Sequence, residues 1–72
     1  NPFTHNLTVT IDASLVGATI TLSHLMLGTV NLQSTLTQTN NVFNTSHLTT
    51  GMYTLTIASN GTPVYSTIVV KE

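Results

Sequence analysis

Apolar and polar positions alternate with a period of two along most of the chain. Leu7, Val9 and Ile11 alternate with Thr8 and Thr10, and Ala18, Ile20 and Leu22 alternate with Thr19 and Thr21. Val30, Leu32 and Leu36 share a face opposite Asn31, Gln33 and Thr35, and Tyr53, Leu55 and Ile57 alternate with Thr54 and Thr56. Successive side chains of a strand point to opposite faces, so each run predicts a strand buried on one side and wet on the other. Threonine suits the wet side: its β-branch favours extended backbone and its hydroxyl faces water. Asn60-Gly61 is the best short hairpin signal, because a type I′ turn needs positive φ at both central residues. A hairpin of 52–59 with 62–70 follows. Pro63 has no N–H to donate, so it belongs at the start of the returning strand or on an unpaired edge. Val42-Phe43-Asn44 is a further short strand, Thr45-Ser46-His47-Leu48 a bend leading into Gly51, and Gly17 and Gly28 are turns on either side of 18–27. The closing Ile68-Val69-Val70 is apolar on both faces. About six or seven short strands at this spacing, with no helical period, predict an all-β fold: two packed antiparallel sheets with a Greek-key connection.

Composition narrows what such a fold does. The chain has 72 residues, room for one domain, and its 40% apolar content supports one thin core with no cysteine to reinforce it. Asp12, Lys71 and Glu72 are the only fixed charges. One lysine cannot neutralise a run of phosphates, which excludes nucleic acid as a partner, and the apolar runs are too short and too interrupted for membrane insertion. The chain opens on Asn1-Pro2 instead of Met, so residues 1–72 are expected to be a single module cut from a longer protein.

The reactive side chains do not assemble into chemistry. His5, His24 and His47 lie far apart with almost no carboxylates in support, so no metal or other cofactor is expected. Asp12 is the sole interior carboxylate, which leaves neither a nucleophile's base and orienting acid nor the carboxylate pair of a glycosidase. It reads as a turn residue that bonds its own backbone, and the chain reads as no enzyme. Asn6-Leu7-Thr8, Asn44-Thr45-Ser46 and Asn60-Gly61-Thr62 match the glycan acceptor pattern, at a frequency ordinary for a chain this rich in Asn and Thr. Thr-x-Thr recurs without the fixed spacing of a repeat array. Phe3, Phe43, Tyr53 and Tyr65 are sparse beside the several coplanar rings typical of a carbohydrate-binding face, which leaves sugar binding open but unsupported, and Tyr53, just after Gly51, reads as a core anchor at a strand start.

The order of these features carries a resemblance. A strand Leu7–Ile11, the segment Ile20–Gly28, then Leu48-Thr-Thr-Gly51-Met-Tyr53-Thr-Leu-Thr-Ile57, the Asn60-Gly61 hairpin and a terminal Ile68-Val-Val-Lys71 resemble the C-terminal sorting domain of the type IX secretion system of Bacteroidota. Leu-x-x-Gly-x-Tyr before an alternating strand is its most specific part. Ser23-His24 and Thr29 depart from the Tyr-Asp and the basic residue common in that family.

The resemblance implies an immunoglobulin-like sandwich of seven strands. It also implies a secretion signal that directs a fused cargo, N-terminal to it, through the periplasm and across the outer membrane to the surface or the medium. The partners it implies are an outer-membrane shuttle and a sortase-like peptidase that usually removes the domain. It assigns Gly51, Tyr53, Ile68, Val69, Val70 and Lys71 to recognition by the machinery, and Gly28, Asn60 and Gly61 to structural turns. A monomer is expected. The competing reading is an accessory binding or spacer module, folded like fibronectin type III, of a secreted enzyme or adhesin.

Overall fold

The computed structural model describes residues 2–72; Asn1, the first residue of the expected module, lies outside the described residues. Seven strands run in order: β1 (Pro2–Phe3), β2 (Asn6–Thr10), β3 (Thr19–His24), β4 (Val30–Thr35), β5 (Asn40–Asn44), β6 (Gly51–Ser59) and β7 (Thr62–Lys71). They form a five-stranded sheet, β1-β7-β6-β3-β4, and a two-stranded sheet, β2-β5. The sequence carries the chain from the small sheet to the large one and back because each alternating run must bury its apolar side against the other layer. Ile20, Leu22, Tyr53, Leu55, Ile57 and Val69 supply the core from the large sheet, and Leu7, Val9 and Ile11 supply it from the small one.

Most of the expected strands stand within a residue or two of where the period placed them. Asn60 and Gly61 have φ of 53° and 80°, the left-handed pair that a type I′ turn demands. Pro63 is the second residue of β7 and pairs with Ala58, whereas Ile57 pairs with Tyr65, so Val64 is an extra, bulged residue. Asp12 caps a short 3₁₀ turn, Ala13–Leu15, with its Oδ2 accepting the Ser14 N–H at 2.9 Å.

Two features differ from the expectation. Pairing is not antiparallel throughout: β1 runs parallel to β7, with Pro2 opposite Val70 and Phe3 opposite Lys71. A two-residue strand has no period to read, and its partner lies at the other end of the chain. The face shared by Val30, Leu32 and Leu36 holds only in part. Leu36 is fully buried, clamped by its N–H to the Ala18 carbonyl and by its carbonyl to the Gly17 N–H, and Leu32 packs on the core, but Val30 is exposed. A register shift between Leu22 and Ser23 and the edge position of β4 take Val30 beyond the cover of the small sheet. Ile68-Val69-Val70 presents apolar side chains on both faces of β7: Val69 is buried, and Ile68 and Val70 face out.

Candidate functional site

The segment Leu48–Tyr53 is a corner that locks the sandwich. Leu48 enters the core, the chain bends, and Tyr53 follows on the inner face of β6 with none of its surface exposed. Its hydroxyl cannot stay unpaired at that depth, and it donates to the Thr49 carbonyl at 2.7 Å, with the Thr49 hydroxyl at 3.2 Å. A tyrosine near the start of this strand that bonds back a few residues upstream is the tyrosine corner of immunoglobulin-like sandwiches. Its ring sits edge-on to His24, centroids 5.1 Å apart, and tilted against Phe3 at 6.4 Å. Both geometries are favourable for ring quadrupoles.

Gly51 completes the corner. Its φ of 153° is a conformation that side chains rarely adopt, and a Cβ there would come 3.4 Å from His24 Nε2. His24 Nδ1 in turn accepts the Leu27 N–H at 3.3 Å, which steadies the turn that ends at Gly28, φ 70°. The Leu-x-x-Gly-x-Tyr pattern is thus a device for entering β6 at a fixed angle. Tyr53 meets the core and not the solvent, and Gly51 is half-buried beside it.

β7 divides the remaining candidates by parity. Val69 is 2% exposed and Lys71 7%, both on the inner face. The Lys71 stem lies along the core edge opposite Phe3 and Gly51, and its ammonium reaches the Glu72 carbonyl oxygen at a long 3.5 Å. Ile68 and Val70 point outward, 48% and 36% exposed, and Met52 stands opposite Val70 on the same face. Together they make an apolar strip at the C-terminal end of the strand. The last residues of β7 are not a free edge, because β1 covers Val70 and Lys71; the open edge lies further back, towards Thr62.

Other candidates have structural roles. Asn44 Oδ1 accepts both the Ser46 N–H and its hydroxyl, closing the bend after β5, and Asn60 serves the hairpin turn. Among the described residues no group of His, Asp and Glu converges as a metal site, and no helix is long and apolar enough to cross a membrane. Phe3 and Thr45, whose hydroxyl donates to the Thr4 carbonyl at 3.1 Å, carry structural weight that no sequence signal announced.

The architecture and the tyrosine corner define an immunoglobulin-like sandwich whose distinctive residues serve its shape. The chain belongs to the family described as the secretion system C-terminal sorting domain, whose model matches residues 1–71. It is therefore a type IX sorting signal, a class defined by export to the outside of the cell and not by catalysis. No curated protein and no solved structure matches this chain.

Proposed function

We propose that the secretion machinery takes hold of this module through the outward strip of β7, Ile68 and Val70 with Met52 beside them, while Gly51, Tyr53, Val69 and Lys71 hold that strip in shape. The observation that carries this reading is the parity of β7: among the six residues assigned to recognition, Ile68 and Val70 are the ones that present large apolar side chains to solvent. With so few fixed charges in the chain, selectivity has to come from apolar shape and backbone groups. The family membership supports the rest of the reading: a cargo fused ahead of the module, passage through the periplasm and across the outer membrane on a shuttle protein, and removal by a sortase-like peptidase.

The test is a reporter fused ahead of the 72 residues, expressed in a host with the type IX machinery and scored in the medium and on the cell surface. An Ile68→Lys/Val70→Lys double variant keeps the fold, since neither side chain enters the core, and is expected to lower export about tenfold or more, as loss of a contact centre does. Export at the parental level, with the fold confirmed by thermal unfolding, would overturn this assignment.

A further inference from the structure

The small sheet stops at two strands, and the immunoglobulin sandwich shows what is missing. β2 and β5 stand where strands B and E stand in constant-type domains, and the places of A and D on either side of them are empty among the described residues. The A position borders β7. There, β2, the 3₁₀ turn, β6 and β7 enclose an open groove of about 950 Å³, with Leu7, Val9, Leu55, Ile57 and Val69 along its floor.

Hydrogen-bond parity shows that both walls of this groove are unpaired edges. The Ile11 N–H donates to Thr39 O and the Thr45 N–H to His5 O, so odd-numbered residues of β2 bond to β5. Asn6, Thr8 and Thr10 consequently aim their N–H and C=O groups away from β5, towards the groove. On the other wall, the Leu25 N–H donates to Met52 O, which turns even-numbered residues of β6 towards β3. Their partners Ser66 and Ile68 therefore turn their own groups away from β6. Tyr65 confirms the vacancy: it shares the inner face with Thr67 and Val69 and stands opposite Ile57, yet it is 52% exposed, because no strand of the small sheet lies over it.

We propose that this groove receives one extended segment of a partner polypeptide, added antiparallel to β2 as the third strand of the small sheet. It rests on reading the module as an address recognised by other polypeptides. β2 is the better template: it offers three consecutive outward-bonding residues, whereas β7 offers Ser66 and Ile68 between the Val64 bulge and the stretch that β1 covers. The segment would carry apolar side chains at alternate positions, to lie against Tyr65 and Ile57, with polar ones between them. Asp12 is the formal charge that lines the groove, at the end where an antiparallel partner begins, so a basic residue belongs in the first part of the segment. A second copy of this chain cannot supply it. Its one basic residue, Lys71, is buried at the wrong end of β7, and its alternating runs are already paired within the fold.

The test uses the full 72-residue chain, isotope-labelled, and the acetylated peptide Lys-Ser-Val-Thr-Val-Thr-Val amide as probe. Two control peptides accompany it, one with Glu in place of Lys and one N-methylated at the amides that would face β2. The expected result is slowed amide exchange at Thr8 and Thr10, shifted Tyr65 ring signals, weaker binding of the Glu peptide at low salt and none of the N-methylated one. Thr8→Pro removes an outward N–H without touching the β5 ladder and is expected to weaken binding about tenfold at an unchanged unfolding midpoint. Should Thr8→Pro unfold the chain, the N-methylated peptide removes the same bonds from the other side. Absence of binding, shifts confined to the outer face around Ile68 and Val70, or equal binding of the N-methylated peptide would overturn the proposal. So would a dimer, seen by sedimentation without peptide, that Thr8→Pro dissolves. Export of the reporter fusion decides the sorting reading independently, so the two fail separately.

Discussion

At the scale of single residues, a few polar side chains do the work that charges and disulfides do in other small domains. Tyr53 is the clearest. Replacing it with Phe keeps the ring contacts to His24 and Phe3 but leaves the Thr49 carbonyl without its donor. The expected loss is about 1–3 kcal/mol, visible as a fall in midpoint of roughly 4–8 °C per kcal/mol in a domain of this size. An unchanged midpoint would show that the corner is not under load. Asp12 has a pH signature. The Ser14 hydroxyl, and then the Ser14 backbone N–H, hold its carboxyl below the usual carboxylate range. A group depressed in the folded state stabilises above its unfolded value and loses that contribution as pH falls through the folded one. The advantage of the parent chain over Asp12→Ala is therefore expected at neutral pH and should shrink on acidification below the carboxylate range. A gap in unfolding midpoint that stays constant into acid would contradict it. Both roles were open to a reader of the sequence, since an Asp before Ala-Ser and a Tyr two residues after a Gly at a strand start are local patterns. Their energetic weight was not, because it depends on how deeply the fold buries them.

At the scale of elements, what was legible is what is local. The period of two located the long strands, and Asn60-Gly61 located the β6–β7 hairpin with its Pro63 on the outer side. β1 was illegible. Two residues have no period, and the strand exists only because β7 offers an edge near the other end of the chain. Its contribution is nonetheless large, for Phe3 is buried beside Tyr53 and opposite Lys71. Phe3→Ala is expected to cost about 3 kcal/mol or more, as buried aromatic truncations do. Because the Glu72 N–H donates to the Phe3 carbonyl at 2.8 Å, the amide of Glu72 should exchange faster in that variant; hydrogen exchange as slow as in the parent would show that β1 is dispensable. The same non-locality hid the sorting of candidate residues. Ile68-Val69-Val70 looks uniform in sequence, and only pairing with β6 decides which of them face out. The groove beside β2 was hidden for a related reason, since a missing strand leaves no residues to read.

At the scale of the whole molecule, near-neutrality and the incomplete small sheet belong together. A nearly uncharged surface rich in Thr, Ser and Asn stays wet, and unpaired edges and an outward apolar strip offer backbone and shape to a partner. A radius of gyration of 11.5 Å matches the roughly 11 Å expected of a packed chain of this length, so this surface is presented by a fold that is already closed. Such a module acts by being recognised, and its identity as a sorting signal is the central claim. The most direct measurement is export of an inert reporter carrying the 72 residues at its C-terminus, compared between a host with an intact type IX system and the same host with that system disabled. Reporter is expected outside the intact cells and retained in the disabled ones; equal distribution in the two hosts would show that the 72 residues are no type IX address.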